Sequence, residues 1–114
     1  MEKKRILTGD RPTGHLHLGH YCGSLKSRVE LQDDYEEFIL IADVQALTTH
    51  FERPELINDS IYQITMDNLA VGLDPNKVTF IQQSGVPCIH ELTMYYSMIT
   101  TCNHLLINPT IKTE

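Results

Sequence analysis

Basic side chains are few: nine Lys and Arg stand against fifteen Asp and Glu, for a formal net charge of −6 with the histidines neutral. Nonspecific affinity for nucleic acid comes from clustered Lys and Arg, so the surface as a whole is not built to hold a phosphate backbone. Any RNA contact must come from a local patch or from sequence outside this chain. Cysteine is scarce as well. Cys22, Cys88 and Cys102 form an odd set without Cys-x-x-Cys spacing, which argues against a disulfide framework or a zinc knuckle and leaves each expected as a small buried hydrophobe. No apolar run reaches membrane length, and Phe38-Ile39-Leu40-Ile41-Ala42 is strand-sized. The basic start, Met1 to Arg5, is followed by only a short apolar stretch before Gly9-Asp10, so it does not read as a signal peptide and the chain is expected in the cytoplasm. Repeats and low-complexity linkers are absent too.

What is present is an alternation of strand and helix patterns over 114 residues, one domain at most. A first strand is expected over about 5–8 and a first helix over about 19–32, with Leu18, Cys22, Leu25 and Val29 as the stripe facing the sheet. A second strand, about 37–42, is apolar enough to be buried on both faces. The acidic run Asp33-Asp34-Tyr35-Glu36-Glu37 before it reads as a solvated loop. Pro54 opens a second helix, which Gly72 and Asp74-Pro75 stop near Val71. A third strand over about 78–82 leads into a last helix from about 89 to 106, broken by Asn108-Pro109. Strands joined by crossover helices make an α/β parallel sheet, one mononucleotide-binding half of a doubly wound, Rossmann-like fold whose ligands sit at the carboxyl ends of the strands. The complete fold has three layers. The fourth strand and the helices that cover its other face are not in this sequence.

Polar residues mark every strand end: Thr8 to Thr13, Asp43 to Gln45, and Gln82 to Ser84. The first of these is the most informative. Gly9-Asp10-Arg11-Pro12-Thr13-Gly14 turns between strand and helix, and His17 and His20 flank Gly19 at the helix start, so a phosphate meets backbone N–H groups, a helix dipole and two imidazoles together. Preorganised donors of this kind are worth about 2.7–4 kcal/mol each on developing charge, more than the roughly 0.3–2 kcal/mol of the dipole. The turn is not a Walker loop, because no Gly-Lys-Ser or Gly-Lys-Thr follows, and the Gly-x-Gly-x-x-Gly fingerprint is absent. His15, His17 and His20 lack partners in a metal-site pattern, and no resident metal is expected. Asp43 fits either a substrate contact or a bond to the turn or first helix. Gln82, Gln83 and Ser84 read as structural, and Tyr95 and Tyr96 as core or interface residues. His50, His90 and His104 have no motif around them.

Pro12-Thr13-Gly14 followed by His17-Leu18-Gly19-His20-Tyr21 resembles the HIGH signature of class I aminoacyl-tRNA synthetases in the form shared by the tryptophanyl and tyrosyl enzymes. Three further segments, Ala42 to Thr48, Ala70 to Pro75 and Phe80 to Pro87, are similar to the tryptophanyl branch in order and spacing, and the resemblance covers essentially the whole chain. It implies an HUP-type nucleotide-binding half-domain over residues 1–114, and a reaction in which tryptophan and ATP, with Mg2+, form an adenylate whose aminoacyl group passes to tRNA(Trp). It also implies a homodimer. By the same resemblance, Arg11, Pro12, Thr13, Gly19 and His20 contact ATP, and His17 and His20 hold phosphate oxygens at the reacting centre. Leu7, Thr8, Gly9, Asp43 and Gln45 border the amino-acid pocket, with Gln45 standing where many relatives carry histidine.

The family's second signature, a Lys-Met-Ser-Lys-Ser-like loop, does not occur in this sequence, nor do the second half of the fold and the anticodon-binding region. The chain is therefore expected to be an N-terminal fragment of the catalytic domain, inactive by itself. Three rivals stand beside this reading: a tyrosyl enzyme, a small nucleotidyltransferase with the same histidine logic, and a non-catalytic nucleotide-binding or dimerisation module.

Overall fold

The computed structural model describes residues 3–113. Three parallel strands, β1 (Arg5–Asp10), β2 (Glu36–Ile41) and β3 (Val78–Gln82), lie in the order β1-β2-β3. Between the first two come α1 (Leu18–His20), a π-helical turn at Tyr21–Leu25, and α2 (Lys26–Leu31), which run on as one rod. Between β2 and β3 come α3 (Asp43–His50) and α4 (Pro54–Ala70). A short 3-10 turn, Gln83–Gly85, precedes α5 (Pro87–Ile99), α6 (Cys102–Leu105) and α7 (Pro109–Thr113). None of these helices is long and apolar enough to cross a membrane.

Two crossovers in the same direction put α2 and α4 on one face of the sheet. The core there is Ile39, Leu73 and Val78, with Val29 and Phe80 packed against it. Leu25, Ile57 and Ile64 are also buried, and each such side chain stabilises the fold by about 1.5–3 kcal/mol. The opposite face is open: Leu7 is 69% exposed, and Phe38, Leu40 and Ile81 are only half-buried. β2 is thus fully buried on one side rather than both. Pro54 occupies the first turn of α4, and Gly72, with φ of +112°, follows the C-cap Val71 in a conformation that glycine tolerates. Gln32 ties the two helical ends together, donating to the carbonyls of Val29 and Gly72 at 3.1 Å and accepting from Asp74 N–H at 2.9 Å.

Several expectations change. Leu18 and Cys22 face outward while Leu25 and Val29 turn in, because the π-helical turn alters the period that a uniform helix would keep. All three cysteines are exposed. Glu37 is no loop residue but a buried one on β2, beside Ile6 and Val78 in register. The last helical stretch is broken at Thr100, and Thr101 caps α6 by accepting from His104 N–H. Tyr95 and Tyr96 are each 56% exposed, so they are not core residues of this chain.

Candidate functional site

β1 ends at Asp10, and the chain turns at once: Thr13 N–H donates to the carbonyl of Arg11 at 2.9 Å, closing a tight loop around buried Pro12. Pro12 shapes this loop and does not line the cavity beside it. The loop is held from behind by α2 and α4. Arg28 grips Asp10 bidentately, at 2.6 and 3.0 Å, and also donates to Thr8 and Asn68. Both charges of the pair are at least nine-tenths buried. Asp67 of α4 holds the loop's far end through Leu16 N–H at 3.0 Å.

His17 is the N-cap of α1. Its Nδ1 accepts from Gly19 N–H at 3.0 Å, and Nδ1 of His20 accepts from His17 N–H at 3.2 Å. A ring nitrogen that accepts a backbone N–H carries no proton, so each neutral imidazole keeps its proton on Nε2 as a donor. The two rings lie 4.0 Å apart, centre to centre. Two donors are thereby fixed side by side.

Two open cavities meet on this turn. One, of about 430 Å³, is lined by Gly9, Asp10, Arg11, Thr13, Leu16 and His20, with Thr49 and His50 from the end of α3. The other, of about 290 Å³, is lined by Leu7, Thr8, Gly9, Asp10, Arg11, Leu40, Ala42 and Gln45. Gly9, Asp10 and Arg11 are common to both. At Gly9 a Cβ would lie 2.6 Å from the carbonyl oxygen of Leu40, so the close approach of β1 to β2 beneath the cavities requires glycine.

Of the residues expected around ATP, the first cavity gathers Arg11, Thr13 and His20, while Gly19 is not among its lining residues and the His17 ring lies beside that of His20. Of those expected around the amino acid, the second gathers Leu7, Thr8, Gly9 and Gln45. Asp43 stands apart from both. Its carboxylate accepts from Ser84 Oγ and N–H, Gln82 Nε2 and Val44 N–H, at 2.5–3.0 Å, and it faces a separate hollow of about 240 Å³ next to Leu47 and Pro54. Burial pushes this carboxyl up, but the hydrogen bonds from Ser84, Gln82 and Val44 outweigh it and hold the group below the usual carboxylate value. Asp43 therefore fastens the start of α3 to the end of β3. Gln83 adds to this joint by accepting from Gln45 N–H at 3.1 Å.

Four residues of the site carry no sequence signal. Arg28 and Asn68 reach Asp10 across 18 and 58 residues of chain. Thr49 and His50 enter because Asp43–His50 is a helix, not the tail of a strand. Among the described residues, no group of three or more His, Cys, Asp or Glu could hold a metal ion.

Residues 1–112 match the family of class I tRNA synthetases for W and Y. The chain is 57% identical to tryptophan–tRNA ligase of Streptococcus mutans and 54% identical to that of Clostridium longisporum, in each case over all of this chain and 34% of the relative. It thus spans about a third of the length of the curated relatives it matches. Its fold superimposes on tryptophanyl-tRNA synthetase of Campylobacter jejuni with a TM-score of 0.84 at 32% identity, over 98% of this chain and 35% of that one. A second structure of the Campylobacter jejuni enzyme, complexed with ADP and tryptophan, gives 0.76 at 34% identity over 87% of this chain and 31% of that one. Paired imidazoles over a strand-end turn, in a parallel sheet matched almost end to end, make this chain a member of the class I tRNA synthetases that serve tryptophan and tyrosine.

Proposed function

We propose that this chain supplies the first part of the catalytic domain of a tryptophan–tRNA ligase. The observation that carries the reading is the pair of cavities sharing Gly9 to Arg11, one rimmed by His20 and Arg11 and the other by Leu7 and Gln45. Two substrates that must react with each other need adjoining sites with a common wall. ATP, as its magnesium complex, occupies the larger cavity, and tryptophan the smaller one on the open face of the sheet. The Campylobacter jejuni structure, which holds ADP and tryptophan together, supports a nucleotide beside this amino acid. In the reaction, a carboxylate oxygen of tryptophan attacks the α-phosphorus, pyrophosphate leaves, and the mixed anhydride then gives its aminoacyl group to the terminal adenosine of tRNA(Trp). His17 and His20 offer Nε2–H donors to phosphate oxygens as charge builds there, and Arg11 adds a permanent cation. The Asp10–Arg28 pair keeps the shared wall in register, so that much of the rate comes from positioning.

Tryptophan is favoured over tyrosine by the identity of the curated relatives at 54–57%. We also assign the homodimer contact to α5, whose Met94, Tyr95, Met98 and Ile99 are each more than half exposed, a patch of the kind that marks an interface. The cytoplasm, where tRNA is charged, is the compartment this reading implies. The test is amino-acid-dependent ATP–pyrophosphate exchange by the full-length gene product. Exchange with tryptophan and not tyrosine is expected; the reverse preference would replace the reading with its tyrosyl counterpart, and no exchange with either would leave the nucleotide-binding module.

A further inference from the structure

We propose that His50 contacts a phosphate of the nucleotide, aimed by Thr49 and coupled through it to Arg11; this deepens the reading above and rests on ATP occupying the larger cavity. Thr49 and His50 close α3 and line that cavity together with Arg11 and His20. Nη2 of Arg11 donates to Oγ1 of Thr49, and that oxygen lies 2.9 Å from Nδ1 of His50. A threonine hydroxyl has one proton and two lone pairs. With a guanidinium N–H on one lone pair, the hydroxyl meets Nδ1 of His50 with its proton or its second lone pair; the proposed network puts the proton there, which leaves Nε2–H as the donor of that ring. His50 then has the same tautomer as His17 and His20, which are fixed by backbone N–H groups instead.

The donor set points to an anion. Arg11 brings a guanidinium to the cavity wall, with one of its five N–H groups spent on Thr49. The one carboxylate on the cavity wall, Asp10, is turned toward Arg28 and neutralised by it. Guanidinium and imidazole N–H groups on one side, with no competing free carboxylate, suit the oxygens of a nucleoside triphosphate. The same helix carries Gln45 at its start, on the other cavity. α3 thus contributes one end to each substrate.

The experiment uses the full-length protein, with ATP dissociation constants from equilibrium dialysis and separate KM values for ATP and tryptophan in exchange. His50→Ala and Thr49→Val should each weaken ATP binding about tenfold, a loss of roughly one charge-assisted bond, with the KM for tryptophan unmoved. Thr49→Ser, which restores the hydroxyl, should recover most of what Thr49→Val loses. This comparison stands even if His50→Ala does not fold. Unchanged ATP affinity in both His50→Ala and Thr49→Val, with wild-type exchange intact, overturns the proposal. A wild type that does not bind ATP overturns the functional reading and the proposal with it.

Discussion

Arg28 and Asp10 meet through two nearly parallel hydrogen bonds, 2.6 and 3.0 Å long, in the space between the sheet and its helices. The pair joins the middle of a helix to a residue that lines both cavities. Buried pairs of this kind gain little net stability over a well-packed apolar pair, because desolvation offsets most of the attraction. Losing one partner is another matter.

Arg28→Met strands a buried carboxylate and should cost about 3–5 kcal/mol in urea unfolding. Adding Asp10→Leu to Arg28→Met should restore much of that loss, since no charge then remains buried. A single variant within about 1 kcal/mol of wild type would show that Asp10 finds water or another cation, contrary to its burial here.

Two glycines separate stability from chemistry. At Gly9 an added Cβ meets the backbone oxygen of Leu40 at 2.6 Å, an atom that cannot swing aside. Gly9→Ala should therefore destabilise the chain by about 1–3 kcal/mol as the strands are forced apart. At Gly19 the nearest atom is Cε1 of His17 at 2.8 Å, on a ring that can turn. Gly19→Ala should move the melting temperature little, because alanine's helix preference of about 1 kcal/mol is offset by loss of the His17 cap, yet slow adenylate formation by displacing His17. Melting curves and burst kinetics on both variants decide the matter; a Gly19→Ala enzyme with full speed would free His17 of its role.

Two buried carboxyls give stability opposite pH dependences. Burial raises Glu37 from its ordinary 4.5, against a lowering from Arg28, and leaves its Oε2 without a partner. A raised group favours the folded chain below about 4.5 and loses that advantage as pH climbs through the higher folded value. Glu37→Gln should therefore be more stable than wild type at pH 7, and the gain should vanish in acid. Asp43 is held below its ordinary 3.8, so its contribution is complete above that value and fades as pH falls through the lower folded one. Asp43→Asn should be less stable than wild type at neutral pH, the gap closing toward acid. Urea unfolding at a series of pH values reads both, and parallel curves for the two variants would contradict the assignment.

The sequence is legible where a signal is local. Val78–Gln82, Pro54 at the head of α4 and the stop at Gly72 stand as the residues indicate, because turn chemistry and strand composition act over a few positions. α3 is hidden because it follows β2 after a single residue, Ala42, with no capping side chain to announce it. The break before α6 is hidden because the apolar pattern runs through Thr100 unchanged. In the site, the histidine turn is legible as a motif. The buried partners of Asp10 are not, because they come from distant parts of the chain and only the crossover topology brings them together. Asp43 shows the opposite case, a polar strand-end residue whose carboxylate is already taken up by protein donors.

In the proposed reaction the two imidazoles are donors to the reacting phosphate, and single-turnover formation of tryptophanyl-adenylate by the full-length protein measures that directly. His17→Ala and His20→Ala should each slow the chemical step by about 10²–10³, with the burst amplitude showing the sites intact. Adenylate formed at the wild-type rate in both variants would contradict it.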